Sequence, residues 1–424
     1  MIAILLITFL ILILLNIPIA FALAIACLLA LLSDPVLPLT LIPQRVFNGL
    51  DSFPLLAIPF FILAGAIMDR GGVSAKIINL ANVLVGHIRG GLAMITIVAS
   101  MIFSSMTGSS TAATAAIGKI VVPSMNEKGY SKGFSAALVA ASGSLGSVIP
   151  PSITLIIFGV VGGASIGKLL IGGILPGVIL GLMLMLVSYI IALIMKYPSE
   201  QKHSIKDLGR SFVDAILALF MPILMLGGIL LGVFTATESA VVAILYGLIL
   251  GMFVYKKIHI RDLPKIFYET ILISSMVVMI IGIADLFGWL VTSQQLPQLI
   301  AGLITSITTN PYLILFFILL LLLFVGLFME ASAAIIILTP VLLPITNSMG
   351  VDPIHLGVVM ISALAIGVVT PPMGVNLFVA SAITNLNVSV VIKHIWPFVL
   401  AMFIGLIIIA YFPFTATWLP TFLD

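Results

Sequence analysis

The sequence predicts an all-α polytopic membrane protein made of two inverted repeats, each with a re-entrant helical hairpin and a helix broken at a Pro-Pro pair. Three observations lead to this fold class: the apolar composition, a duplicated segment and the matching prolines within it. Of the 424 residues, 62% are hydrophobic and only 7% are charged, and the mean hydropathy is +1.38. No soluble core needs so much apolar sequence, so most of the chain is expected to lie in lipid.

The duplication is visible without gaps, because residues 103–151 align with residues 324–372 at a constant offset. Besides both prolines, the identical pairs include Ala112/Ala333, Ala113/Ala334, Pro123/Pro344, Asn126/Asn347, Gly129/Gly350, Gly146/Gly367 and Val148/Val369. A membrane repeat whose helices are interrupted at matching places is typical of secondary transporters.

The basic residues indicate which segments share a side of the membrane. They fall into four groups: Arg70, Lys76 and Arg89; Lys119, Lys128 and Lys132; Lys196, Lys202, Lys206 and Arg210; Lys256, Lys257, Arg261 and Lys265. The positive-inside rule places all four groups in the cytoplasm. Two apolar spans separate the second group from the third, and two more separate the third from the fourth, as a shared side requires. These spans lie near 134–160, 169–195, 212–232 and 237–255.

Two helical hairpins follow from this count. The apolar stretch between Arg89 and Lys119 is too short for two crossings of roughly 20 residues each, so it should enter and return on one side. We expect this first hairpin at about 92–123, with an unwound polar tip at 104–111. The second hairpin is expected at about 312–346, with its tip at 326–332. Five spans separate the hairpins, the last near 268–290, so they should open to opposite faces and meet near the midplane.

Each hairpin precedes a broken helix, at about 134–160 and about 354–384. Two successive prolines remove amide donors and disfavour helical geometry before them, which frees main-chain carbonyls. Such oxygens, with nearby hydroxyls, suit an unhydrated alkali cation, and sodium is the natural choice. The half-helices that begin at Ser152 and Met373 present free amides that favour a carboxylate. The alternatives are simple kinks at the prolines, and tip hydroxyls that only pack between helices.

These residues carry a family resemblance that covers essentially the whole chain. The chain resembles the large membrane subunit of the tripartite ATP-independent periplasmic (TRAP) transporters in segments 59–69, 101–118, 147–153, 234–243 and 369–378. The resemblance implies a sodium-driven elevator in the bacterial inner membrane, in which a transport domain of two hairpins and two broken helices slides against a scaffold. It also implies a small four-helix membrane subunit and a periplasmic substrate-binding protein as partners. The family commonly has Pro where Ala236 stands and often Asp where Glu330 stands.

The resemblance also implies site residues, carried over by position. One sodium site would use Ser105, Thr107, Ser109, Gly146, Val148 and Pro150. The other would use Gly326, Glu330, Gly367, Thr370 and Met373. Candidate substrate contacts are Ser110, Thr111, Ser332 and Asn376. Sodium is expected as the coupling ion, with no other metal, no cofactor and no catalytic residue.

The expected domain organisation follows the repeats. Residues 1–53 are expected to form an N-terminal scaffold helix and a periplasmic-side arm, and residues 54–195 the first repeat. Residues 196–267 are expected to form cytoplasmic loops and scaffold helices. Residues 268–424 are expected to form the second repeat, with a final span near 395–420. Amphipathic segments at 39–52, 74–90 and 296–309 are expected to lie along the membrane interface. The break at Asn16-Ile17-Pro18 leaves open whether residues 2–32 cross once or turn back.

Three acidic residues lie in or beside the apolar spans, where charge is costly. Asp214 is expected at the interface. Glu238 either caps its helix from the first turn or contacts the mobile domain. Asp285 either pairs with a basic residue of the missing subunit or borders a watery path.

The expected cargo is a small carboxylated metabolite, with sialic acid and a C4-dicarboxylate equally admissible. The main alternative is a stand-alone sodium/dicarboxylate symporter of the divalent-anion type, but that family has Ser-Asn-Thr triplets at its hairpin tips and neither copy here has one. A membrane hydrolase or transferase would need a convergent set of reactive groups, and the sequence has no such motif. A passive channel would not require two broken helices in register.

Overall fold

The computed structural model describes residues 1–15, 17–200, 204–308 and 310–423. Asn16, Lys202 and Thr309, which belong to the predicted break, one basic group and one interfacial segment, lie outside these ranges. Regular structure in the described ranges is helical throughout, which confirms the predicted all-α class. Seven of the described helices are long and apolar enough to cross a membrane: Phe53–Arg70, Ile166–Ile194, Lys206–Leu230, Ala236–Val254, Ile260–Ser293, Ala331–Ser348 and Val388–Tyr411.

The helices fall into an N-terminal group, a first series, two connecting helices and a second series. The N-terminal group is α1 (Ile2–Leu14), α2 (Ile19–Leu32) and α3 (Leu41–Leu50). The first series is α4 (Ala57–Arg70), α5 (Val73–Val85), α6 (Gly91–Thr107), α7 (Ser110–Glu127), α8 (Lys132–Ser144), α9 (Ile153–Gly162), α10 (Ile166–Gly172) and α11 (Ile174–Ile194). The connecting helices are α12 (Ile205–Leu230) and α13 (Ala236–Ile249), which continues as a π-helical turn, Leu250–Val254.

The second series is α14 (Leu263–Ser293), α15 (Leu296–Ile307), α16 (Pro311–Gly326), α17 (Ala331–Ser348), α18 (Pro353–Gly367), α19 (Val375–Thr384) and α20 (Val388–Tyr411), with a short α21 (Phe414–Thr417). Short 3-10 turns lie at Phe53–Leu56, Leu145–Ser147, Ile260–Asp262 and Leu419–Leu423. Both series run from a long helix through a shorter one to a hairpin, a broken helix and a final long helix. The inversion of one series relative to the other stays a prediction.

The N-terminal segment forms two helices. α1 and α2 pack against each other and against α14, where the rings of Phe9 and Phe287 lie 5.8 Å apart between centroids. Of the two possibilities that the sequence left open, this packing favours a segment that turns back. α3 also packs on α14, so all three N-terminal helices rest on the first helix of the second series.

The final long helix, α20, spans Val388–Tyr411, whereas the sequence suggested a span near 395–420. Pro413 explains the earlier end, because the residue before a proline is pushed out of helical geometry. Phe412 accordingly has φ −118° and ψ 83°.

Ion pairs and main-chain bonds join the segments that carry the basic groups. Arg70 at the end of α4 pairs with Glu269 of α14. The amine of Lys76 lies 4.0 Å from Asp214 of α12, which gives that acidic residue a partner. Lys128 pairs with Glu200, and the amide of Gly90 donates to the carbonyl of Pro198 at 3.1 Å. These contacts join segments of all four groups to one another. That the groups face the cytoplasm stays a prediction.

The broken helices occupy the centre of the fold. Every residue of α8 from Gly133 to Ser144 is buried, and so is every residue of α18 from Ile354 to Gly367. A helix buried on all sides is enclosed by other helices rather than by lipid. By contrast, α12 exposes Val213 and Ile223, each by more than 60%, as expected of a lipid-facing helix.

Glycines at equivalent positions hold each hairpin against its broken helix. A Cβ atom added at Gly146 would lie 2.7 Å from the carbonyl oxygen of Ser109 in the first tip. One added at Gly367 would lie 2.5 Å from the Cα atom of Gly326, at the end of α16. Both distances are shorter than real Cβ contacts, so main chain packs on main chain at both places.

We therefore expect Gly146→Ala to destabilise the protein by about 1–3 kcal/mol, the usual range for overpacking. Unfolding of the detergent-solubilised chain with temperature measures this. Gly227→Ala is the matched control, because a Cβ at that helical position meets nothing within 4 Å. Equal unfolding temperatures for the two variants would show that the contact at Gly146 is not tight.

Candidate ion and substrate site

The first hairpin turns within two residues. α6 continues to Thr107, and only Gly108 and Ser109 leave helical geometry before α7 begins. The prediction of an unwound tip over 104–111 is therefore wrong in its extent. Ser105 Oγ donates to the Ile102 carbonyl at 2.7 Å and Thr107 Oγ1 to the Phe103 carbonyl at 3.3 Å, so both hydroxyls are satisfied within the helix and need no unwound backbone. Gly108 makes the turn with φ 61°, a left-handed value that glycine adopts without strain.

The second hairpin turns over residues 327–330 and ends in a charged cap. One carboxylate oxygen of Glu330 accepts from the amides of Ser332 at 2.8 Å and Ala333 at 3.3 Å, which caps α17. Ser109 occupies the equivalent position in the first repeat, where its hydroxyl accepts from the amide of Ala112 at 3.4 Å. The same cap position is thus neutral in one tip and carries a carboxylate in the other.

The first break runs from Leu145 to Ser152 and touches the first tip. The amide of Ile153 donates to the Gly108 carbonyl at 3.4 Å. Ser147 has its carbonyl oxygen occupied, since it accepts from Thr154 Oγ1 at 2.7 Å and from Ser152 Oγ. The Val148 carbonyl oxygen lies 2.7 Å from where a Cβ of Gly173 would stand, so it faces the junction of α10 and α11.

The second break, residues 368–374, keeps part of the helical bonding. Thr370 Oγ1 donates to the Ile366 carbonyl at 2.6 Å, and the Thr370 amide donates to the Gly367 carbonyl at 2.9 Å. Asn376 lies at the end of the break, where its backbone amide donates to the carbonyl of Val368 at 3.0 Å. Met373 leaves 48% of its surface exposed.

The structure brings some of the predicted sodium residues together. In the first repeat, Ser109 lies against Gly146. In the second, Gly326 lies against Gly367. Pro150 is buried within the first break.

The predicted substrate residues are in different situations. Ser110 and Thr111 are half-buried at the start of α7, and the Thr111 hydroxyl lies 3.2 Å from that of Ser109. The Ser332 hydroxyl donates to Glu330 at 3.1 Å. Asn376 is fully buried, and its side-chain nitrogen donates to the carbonyl of Ala140 on α8 at 3.2 Å. Its side-chain oxygen has no hydrogen-bond partner in the described residues. Ser110 and Thr111 are thus the more accessible of the four.

Three contributors to this region were not predicted. Ala140 supplies the carbonyl that holds Asn376. Gly65 of α4 packs on the first tip, since a Cβ there would lie 2.8 Å from the Thr107 carbonyl oxygen. Gly108 supplies the turn itself. Only Gly108 had a sequence signal, a glycine among hydroxyl residues.

Of the two other acidic residues, Glu238 finds its partners within the chain and Asp285 does so only in part. Glu238 forms a capping box with Thr235, because its carboxylate accepts from the Thr235 amide at 2.8 Å while the Thr235 hydroxyl accepts from the Glu238 amide at 3.2 Å. Asp285 packs against Gly49 of α3, and its Oδ2 has no hydrogen-bond partner among the described residues, so both of its predicted roles stay open. Arg45 of α3 instead stacks 5.0 Å from the centre of the Trp289 ring.

A hairpin and a broken helix in each of two series is the arrangement that the TRAP resemblance implies, and the comparisons with known proteins decide the family. The family model described as "Tripartite ATP-independent periplasmic transporter, DctM component" matches residues 6–415. The chain belongs to this DctM family. It is accordingly a multi-pass membrane protein of a transporter family.

Relatives of the DctM family are similar over most of this chain. An isethionate TRAP transporter permease, DctMQ of Oleidesulfovibrio alaskensis, is 42% identical over 94% of this chain, which spans 63% of that relative's length. The C4-dicarboxylate large permease DctM of Pseudomonas aeruginosa is 40% identical, over 89% of each chain. The sialic acid large permease SiaM of Vibrio cholerae is 37% identical over 96% of this chain and 95% of its own length.

Among solved structures, the YdaH transporter of Alcanivorax borkumensis is similar in fold. Its TM-score is 0.65 over 87% of each chain, at 14% sequence identity. At that identity the likeness extends to the fold alone. This DctM-family chain therefore shares its fold with the YdaH transporter.

We expect Glu330→Ala to destabilise the second hairpin by about 1 kcal/mol, because two helix-end amides lose their acceptor. Glu330→Asp should retain most of the stability, since aspartate is also a good helix cap. Thermal unfolding of the purified chain measures both. The exposed Glu127, at the end of α7, gives the matched control Glu127→Ala. Equal effects of Glu330→Ala and Glu127→Ala would contradict a specific cap.

Proposed function

We propose that this chain is the transport subunit of a sodium-coupled TRAP system in the bacterial inner membrane. It would take up a small carboxylated metabolite handed over by a periplasmic binding protein, together with a small four-helix membrane subunit. The observation that carries the proposal is the main-chain contact of each hairpin tip with the glycine at its broken helix. The proposed elevator moves both hairpins and both broken helices as one body.

Sodium coupling is supported by the oxygen atoms at these contacts. Hydroxyls and carbonyls of Ser109 and Thr370 lie at or beside the breaks, where partly unwound backbone supplies hard oxygen ligands. The Thr370 hydroxyl donates a hydrogen bond to the carbonyl of Ile366, so the lone pairs of the hydroxyl oxygen remain available to a cation. Glu330 adds a carboxyl group at the second tip, which in its ionised form would attract a cation strongly where water is scarce.

The same charge suggests how ion and substrate binding are coupled. A carboxylated substrate between the tips would be repelled by the Glu330 carboxylate, whose charge the helix-end amides offset only partly. A sodium ion bound beside it would remove the repulsion. Substrate binding would then follow sodium binding, with Ser110 and Thr111 donating hydrogen bonds and the amides at the start of α9 attracting the carboxylate.

The cargo proposal rests on the relatives. Their names give isethionate, C4-dicarboxylate and sialic acid, all of them small anions. We propose an acid of the sialic acid or C4-dicarboxylate type for this chain. We also propose a small membrane subunit as partner, as expected for a member of this family.

Thr370→Ala should raise the sodium concentration for half-maximal uptake on the order of tenfold, the effect of losing one contact of roughly 1.5 kcal/mol to a charged group. Uptake of labelled sialic acid or succinate into liposomes, measured against sodium concentration, tests this. Thr339→Ala is the matched control, because Thr339 makes the same hydroxyl-to-carbonyl bond at 2.6 Å within α17. A sodium dependence that shifts equally in both variants would argue against a Thr370 ligand. Ser109→Ala should shift it in the same direction as Thr370→Ala.

The assembly is tested by reconstituting this chain with a small membrane subunit and a binding protein, and omitting each component and the sodium gradient in turn. We expect uptake to require all of them. Uptake by this chain alone would instead support the stand-alone symporter of the divalent-anion type. Uptake that persists without a sodium gradient would support a passive pathway.

A further inference from the structure

The end of α13 folds back on itself beside the fourth basic group. After the π-helical turn, the amides of Lys257 and Ile258 both donate to the carbonyl of Gly251, at 2.8 and 3.1 Å. Ile258 is thereby buried against the helix end. The fold-back leaves an open surface depression of about 570 Å³, which we call the 252–261 pocket. It is lined by Met252, Phe253, Ile258, His259, Ile260 and Arg261.

Four cations lie in the pocket lining or within a few residues of it along the chain, and Arg261 is the one that lines the pocket. Lys256, Lys257, Arg261 and Lys265 are exposed, and none forms an ion pair in the described part of the chain. This distinguishes them from Arg70, Lys76 and Lys128 of the first two groups, each of which has a carboxylate partner.

Two carboxylates lie nearby: Asp262 interacts with the pocket residues His259 and Arg261, and Glu269 pairs with a residue outside the pocket. Asp262 accepts from the backbone amide of His259 at 2.8 Å and lies 3.4 Å from its ring nitrogen Nδ1. Glu269, one turn beyond Lys265, pairs with Arg70. The pocket therefore keeps a net positive charge.

Apolar side chains complete the same surface. Phe253 is 71% exposed and Ile260 74% exposed, and both line the pocket. Tyr268 and Ile271, 63% and 62% exposed, continue the apolar surface along α14. The pocket lies between the ends of two helices that are apolar enough to span the membrane, Ala236–Val254 and Ile260–Ser293. It thus offers cations on one side and hydrocarbon-like surface on the other, at the level expected for lipid headgroups.

We propose that the 252–261 pocket binds an anionic phospholipid. Arg261 and His259 would hold the phosphodiester, since a guanidinium forms paired hydrogen bonds with phosphate oxygens. The neighbouring lysines add attraction to the negative headgroup. Phe253 and Ile260 would contact the acyl chains. Inorganic phosphate has no acyl chains and would gain no affinity from these two residues. The site is independent of the proposed transport function.

Native mass spectrometry of the full chain in detergent, titrated with phosphatidylglycerol or phosphatidylcholine, tests the proposal. We expect preferential binding of phosphatidylglycerol. Arg261→Gln should weaken this binding about fivefold, and Arg261→Gln with Lys257→Gln about twenty-five-fold, the effect expected for one and two basic residues near anionic lipid. Lys132→Gln, which removes an exposed cation of another group, is the matched control and should leave the binding unchanged.

A second variant separates a lipid site from a site for soluble anions. Ile260→Ser should weaken phosphatidylglycerol binding without any change in the binding of inorganic phosphate. Size-exclusion chromatography should show each variant to be as monodisperse as the parent chain. Three outcomes would overturn the proposal: equal binding of the two lipids, equal loss in Lys132→Gln and the double variant, or complete displacement of phosphatidylglycerol by millimolar inorganic phosphate.

Discussion

The structure depends on one contact made twice, in which the main chain of a hairpin tip lies directly on the main chain of a breaking helix. Gly146 and Gly367 make this possible, because any side chain at either position would meet backbone atoms closer than van der Waals contact. Polar backbone groups at membrane depth are tolerable only where protein or water satisfies them. Each tip therefore shields the break beside it. The enclosed helices α8 and α18 carry both breaks at the centre of the molecule.

Much of this arrangement was predictable, because its causes are local. Prolines in succession stop a helix wherever they occur, so both breaks were evident, and the halves begin and end within a few residues of the expected places. The lengths of the apolar stretches likewise predicted the long helices α11 to α14. The inversion of the repeats and their sidedness depend on counting crossings, and these stay predictions.

The parts that were not predictable depend on contacts distant in sequence or on competing local bonds. Ser105 and Thr107 were predicted to belong to an unwound tip. Their hydroxyls instead donate to carbonyls one turn back, so they are satisfied inside a helix that continues. Nothing near Ala140 in the sequence signals that its carbonyl holds a side chain from the other repeat. Likewise, Gly65 is an ordinary glycine in an apolar helix until α4 is placed against the first tip.

The bond between Asn376 and Ala140 links the two halves of the molecule. It ties the second half of one broken helix to the first half of the other, and it lies where no water competes for it. A strain that tilts α19 is therefore passed to α8 and from there to the opposite break. A movement of α19 away from α8 would break this bond and leave buried polar atoms without partners, which costs free energy. The two series of helices are therefore joined by a polar bond as well as by apolar packing.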